Sequence, residues 1–187
     1  LDHLGLRERA NQVLNRYLLV ADTDGHFDAL ALLPLFLALR AGIRAMVAAQ
    51  RSAGAEAPEA ELAEARAYLE AANAYLAPPP ARLVGVGGLS GSGKTTLAAR
   101  LAPAVGAAPG AVHLRSDLMR KQLFGVAETE PLPESAYAEG VGARVYARLR
   151  DRAGRALRAG HGVVIDAVHL HRAERAATRQ VAVAAGA

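Results

Sequence analysis

Gly88-Leu89-Ser90-Gly91-Ser92-Gly93-Lys94-Thr95 fills every fixed position of the pattern G-x-x-x-x-G-K-[ST]. The spacing describes a phosphate-binding loop. Glycines let the backbone turn tightly and bring its N–H groups onto phosphate oxygens. The N-terminus of the helix that follows adds a favourable dipole. Lys94 reaches the β- and γ-phosphates, Thr95 offers a hydroxyl to Mg²⁺, and Thr96 can reach a phosphate. The competing reading is a glycine-rich turn that merely precedes a helix. The length of the motif argues against it, and so does its context.

That context is a strand before the loop and a helix after it. Residues 82–86 read as a strand, 94–104 as a helix and 111–114 as a second strand. An arginine-studded helix fills about 134–159, a third strand 162–165, and a helix runs to the end. Strands alternating with helices imply a parallel sheet with helices on its faces, so the expected class is α/β.

Upstream, the pattern is helical. Leu6, Ala10, Val13, Leu14, Tyr17 and Leu18 recur at helical spacing. Asp22-Thr23-Asp24-Gly25 reads as a turn. A second helix is expected over about 28–51, bent at Pro34, and a third over 58–76 with Leu62, Leu69 and Leu76 as its apolar seam. Ala77-Pro78-Pro79-Pro80-Ala81 cannot continue a helix. The expected organisation is a helical segment 1–76, a stiff linker 77–81 and an α/β domain 82–187.

The 187 residues leave room for one domain or one and a partial second, and the 52% apolar content, much of it alanine, can form a core. A formal charge of +4 suits phosphate ligands and does not call for nucleic acid. The lysines are only Lys94 and Lys121 in an arginine-rich chain. There is no cysteine, which excludes disulfides, thiolate zinc sites and cysteine nucleophiles and fits a reducing cytoplasm. The uncharged run 29–39, interrupted by Pro34, falls short of the ~18 residues that a bilayer requires, so no membrane partner is expected.

Two further stretches carry chemistry. In Leu114-Arg115-Ser116-Asp117-Leu118-Met119-Arg120-Lys121 the carboxylate follows a strand end that faces the ligand crevice of such sheets. Asp117 can accept a proton from an attacking hydroxyl, and Arg120 can hold an anion. The alternative is that Ser116 or Asp117 caps a helix while Arg120 and Lys121 are solvated. In Val163-Val164-Ile165-Asp166 a strand ends in an acid, which beside such a loop orients Mg²⁺; the alternative is a turn cap. His169 and His171 lack a third zinc ligand. Arg144, Arg148, Arg152 and Arg155 form one helical stripe, read as a solvated basic face paired with carboxylates in preference to an RNA surface. Arg172 and Arg175 follow the third strand and could reach the crevice.

From Leu83 onward, these motifs resemble the predicted-kinase branch of P-loop phosphotransferases, which is similar to gluconate kinases, chloramphenicol phosphotransferases and polynucleotide 5′-kinases. The match is carried by 88–97, by Leu114-Arg115-Ser116-Asp117 with Arg120-Lys121, and by Val164-Ile165-Asp166-Ala167. The resemblance implies a P-loop NTPase sheet, Asp117 as base, Arg120 as a substrate or phosphate contact, and Asp166 as a magnesium-site acid. Val13-Leu14-Asn15-Arg16-Tyr17-Leu18 and Arg40-Ala41-Gly42-Ile43-Arg44-Ala45 resemble the last helices of an aminoglycoside-phosphotransferase-like domain, whose H-G-D-type loop does not occur here. The chain begins at Leu1 and carries only the first three strands of the resembled fold, so a piece of a longer protein, inactive alone, is expected. The resemblance also implies the strand order 2-3-1-4-5, which leaves the P-loop strand at an edge.

The expected activity is transfer of the γ-phosphoryl of ATP, with Mg²⁺, to a hydroxyl of a small-molecule acceptor. Lys94, Asp117 and Arg120 are the catalytic candidates, residues 88–96 (Gly88, Leu89, Ser90, Gly91, Ser92, Gly93, Lys94, Thr95 and Thr96) the nucleotide contacts, and Thr95 and Asp166 the metal ligands. Two alternatives stand beside it: an ATP-binding regulatory module without an acceptor, and a polynucleotide 5′-end kinase.

Overall fold

A computed structural model describes residues 1–54 and 58–187. Four helices come first: α1 (Arg7–Ala21), the short α2 (Asp24–Asp28), α3 (Leu33–Ser52) and α4 (Pro58–Leu76). Then follow β1 (Leu83–Val86), α5 (Lys94–Leu101), β2 (Val112–Arg115), α6 (Ser116–Leu123), α7 (Val141–Arg158), β3 (Val163–Asp166) and α8 (Arg172–Ala184). The expected α/β alternation is present. The long helix starts later than its pattern suggested, because Gly140 takes a left-handed conformation (φ 82°) and only Val141 onward is α-helical.

The sheet is parallel with order β1-β3-β2, which puts the loop-bearing strand β1 at an edge. Asp166 is in register with Val86 on one side and Arg115 on the other, so three chain segments leave the sheet together at one end. Val163, Val164, Ile165 and Asp166 are all buried, as a central strand covered on both faces requires. Val163 and Ile165 pack with Val112, Leu114 and the Val145, Leu149 and Ala153 face of α7. Val164 faces the other way, onto Val86 and the small Ala98, Ala102 and Ala111 under α5.

The core does not stop at the triproline. Leu18, Phe27 and Leu30 belong to the same cluster as Val112, Leu149 and Ile165. The residues 77–81 mark a change of architecture, from helices to alternating strands and helices, and the packing is continuous across it. The arginine stripe of α7 is the second tie. Arg148 pairs with Asp24 at 2.9 Å and Arg155 with Asp28 at 2.7 Å. Arg152 is 2% exposed, bound by Asp22, Asp24 and Gln122, with its guanidinium 5.1 Å from the Phe27 ring. Three of the four arginines of the stripe, Arg148, Arg152 and Arg155, are paired with carboxylates, and Arg152 is not solvated. Its carboxylate partners, Asp22 and Asp24, lie more than a hundred residues away in the chain.

Two apolar faces differ from the pattern. On α1, Val13 and Tyr17 are exposed, while Asn11 is buried with Leu18. Asn11 and Asn15 donate to the Ala111 carbonyl at 2.9 and 3.1 Å, and the N–H of His113 donates to Asn15 at 2.6 Å. The open backbone of β2 requires such partners, and this requirement decides which face of α1 turns inward. In the α3–α4 hairpin, Leu62, Leu69 and Leu76 are exposed, and the contact is made by Ala38, Ala41, Ala45 and Ala48 against Ala65 and Tyr75. Alanines at this spacing let two helices approach closely, and the larger side chains turn outward.

Pro34 does not break the second helix. It sits in the first turn of α3, where its missing N–H costs nothing. Asp24–Ser52 is therefore a helical stretch of 29 residues, long and apolar enough by length and composition to cross a membrane, contrary to the reading of a short interrupted run. In the fold its first part packs on the sheet through Phe27 and Leu30, and its second part on α4.

Candidate nucleotide site at the strand ends

The loop leaves β1 beside Asp166. Gly91 and Gly93 have φ of 78° and 81°, conformations that other residues adopt only with strain. A Cβ on Gly88 would stand 2.8 Å from the Ser92 hydroxyl. The Gly88 N–H donates to the Val168 carbonyl at 3.3 Å, which ties the loop to the segment after β3. Gly93 caps α5, so the amides of the first helical turn open into the loop. Leu89, Ser90 and Thr96 are exposed around it. Lys94 folds across the loop and donates to the Leu89 carbonyl at 3.2 Å.

Thr95 and Asp166 meet. The Thr95 hydroxyl donates to Asp166 Oδ2 at 2.6 Å, and Asp166 is 2% exposed. Its Oδ1 is buried with no hydrogen-bond partner among the described residues. A carboxylate oxygen in that state needs a cation or a donor, and oxygen ligands from a hydroxyl and a carboxylate are the set that Mg²⁺ takes. The residues present thus fit the metal.

His113, which the sequence did not single out, lies against the same carboxylate, with Nε2 3.8 Å from Asp166 Oδ2. Burial holds its imidazole below the usual histidine range, with the Asp166 charge opposing in part. Alternation along β2 carried the signal: His113 and Arg115 share the face of the sheet opposite to Val112 and Leu114.

Asp117 is exposed on the first turn of α6 and accepts from Arg115 at 2.7 Å. The N-cap position of α6 is Arg115, and no side chain caps that helix, so Asp117 is not engaged as a cap. Arg120 and Lys121 are half-buried and engaged by the chain itself. Arg120 donates to the Ala136 carbonyl at 2.6 Å and lies 5.3 Å from the Tyr137 ring; Lys121 donates to the carbonyls of Glu128 and Glu130. Together they fasten the segment after α6.

After β3, the loop into α8 is held by Arg175, which donates to the His169 and Leu170 carbonyls at 2.7 Å. This arginine therefore braces the loop, and it lines a pocket with Gly87, Gly88 and His169 beside the phosphate loop. His169 has φ 51°, and its ring is buried and kept below the usual histidine range by that burial. Gly85 and Gly87 lie against it, the Cβ of His169 standing at ordinary contact distance, 3.5 Å, from a Cβ placed on Gly87. The Tyr146 hydroxyl accepts the His169 N–H at 3.0 Å, and burial pushes its pKa up, helped by the charge of Glu174. Among the described residues no three His, Cys, Asp or Glu side chains converge as a metal cluster.

The structure brings together residues 88–96 and Asp166, and places Asp117 and Arg120 on the helix that leaves the same end of the sheet. A family model described as an AAA domain matches residues 83–187, leaving the four leading helices outside it. No curated protein and no solved structure matches the chain.

Proposed function

The chain belongs to the AAA-domain family over residues 83–187, and from that premise we propose that it is an ATP-dependent phosphotransferase acting on a hydroxyl of a small molecule. The observation that carries the reading is the pairing of Thr95 with Asp166, whose second oxygen is buried and unpartnered, at the mouth of the glycine loop. ATP lies with its phosphates on the amides of residues 88–96. Lys94 leaves the Leu89 carbonyl for the β- and γ-phosphate oxygens. Thr95 and Asp166 would hold Mg²⁺, which when bound would supply charge neutralisation to the phosphates. The acceptor oxygen forms a bond to the γ-phosphorus as the bond to the β–γ bridging oxygen breaks; ADP leaves, and the hydroxyl proton passes to Asp117. Arg115 orients that carboxylate.

Two features weigh against the polynucleotide reading. Arg148, Arg152 and Arg155 are already paired with Asp24, Asp22 and Asp28, and the cavity beside α6 is small. Binding of a fluorescent ATP analogue, followed by ADP release with and without small hydroxyl compounds, tests the proposal. Lys94→Ala is expected to lower turnover roughly 10²–10³-fold. Asp117→Asn is expected to keep ATP affinity and lower kcat roughly 10²–10⁴-fold. Undiminished turnover by Lys94→Ala would sink the nucleotide site. ADP release indifferent to any acceptor would favour the regulatory module.

A further inference from the structure

A pocket of about 220 Å³ opens at the strand ends between the first turns of α6, α7 and the loop into α8. This is space for several waters, the scale of a small metabolite. One wall is apolar, formed by Val168 and Leu170 with a valine of α7. Val168 also accepts the Gly88 N–H, so the pocket and the phosphate loop share a wall. Ser116 and Arg120, which flank Asp117 in sequence, form another side. Tyr146, His171 and Glu174 complete it.

The two charges in this pocket are not equivalent. Arg120 is engaged by the Ala136 carbonyl and the Tyr137 ring. Glu174 has no cationic partner within 4.0 Å among the described residues. The Tyr146 hydroxyl accepts the His169 N–H and turns its proton toward Glu174. A half-buried carboxylate beside an apolar wall is stabilised by a cation brought to it. Its place in the first turn of α8 complements the helix dipole, but that role does not require it to line a cavity.

We propose that Glu174 selects an acceptor carrying a protonated amine near its reacting hydroxyl, that is, an amino alcohol or amino sugar. The inference rests on the phosphotransfer reading of the same strand end. It commits the substrate to a class that a sugar acid, which would need a free arginine in this pocket, does not satisfy.

The test is calorimetric titration of the full chain, in Mg²⁺ and ADP, with D-glucosamine and D-glucose, which differ by one amine for hydroxyl. Glucosamine is expected to bind roughly tenfold more tightly, the scale of one hydrogen bond to a charged group. Glu174→Gln should abolish the preference and leave ADP affinity unchanged. If the carboxylate serves only the helix, Glu174→Gln lowers Tm and the preference survives, which overturns the inference. Equal affinities, tighter binding of glucose, or no sugar binding with ADP binding intact overturn it as well. Failure of the wild type to bind ADP strikes the phosphotransfer reading, and the inference with it.

Discussion

The central strand β3 and the α3–α4 hairpin are both apolar, yet they treat apolar residues in opposite ways. In β3 every residue is buried. In α3 the large residues Leu35, Phe36, Leu39 and Met46 are each more than half exposed, while the alanines between them are buried. The difference lies in what each element must satisfy. A central parallel strand has to be flanked on both edges and covered on both faces, so its residues are enclosed whatever their size. A helix satisfies its own backbone, so its partner needs to touch only one stripe, and here that stripe is made of alanine. Apolar character permits burial; geometry decides which residue is buried.

That contrast can be broken at its strong end first. Leu149 on α7 is 0% exposed and packs on β3. Leu149→Ala should destabilise the protein by about 2–5 kcal/mol, read by urea denaturation. A loss below about 1 kcal/mol would mean that the two faces of the sheet are not the core described here.

A smaller effect is expected at the junction of the two regions. His161 follows α7, is 0% exposed and lies by the backbone of Leu30. Burial lowers its folded-state pKa below the ordinary 6.5, with the Leu30 backbone opposing. The unfolded chain therefore takes up the proton first. The stability that depends on a neutral His161 is fully present above pH 6.5 and declines as pH falls from there toward the depressed folded value. His161→Leu should flatten this decline in denaturation curves collected between mildly alkaline and mildly acidic pH. An unchanged slope would assign the pH dependence to other groups.

The smallest effect belongs to the hairpin. Phe36 is 59% exposed, so Phe36→Ser should shift stability by no more than about 0.5 kcal/mol. A loss comparable to that of Leu149→Ala would show that the exposed face of α3 is covered in solution, and the contrast between the two regions would disappear.

What could be read from the sequence follows the same division. The phosphate loop was legible because its contacts are local: Gly91, Gly93 and Lys94 act through their own backbone and the helix they begin. Strand–helix alternation and the edge position of β1 followed from the motif and its resemblance. The faces of the helices were not legible. Leu62, Leu69 and Leu76 present a clean apolar period, but the hairpin closes on alanine. Asn11 and Asn15 are drawn inward by a strand about a hundred residues away. Arg152 reads as one arginine of a solvated stripe until Asp22 and Asp24 are placed beside it. His113 carried only the alternation of β2, since its importance comes from Asp166, met only when β2 and β3 lie side by side.

The two asparagines of α1 have a consequence for how copies of this molecule could meet. By occupying the Ala111 carbonyl and the His113 N–H, they stand in for a neighbouring strand and blunt the β2 side of the sheet. Association through the β2 side of the sheet is therefore closed off by the molecule's own first helix, whatever stands beside β1.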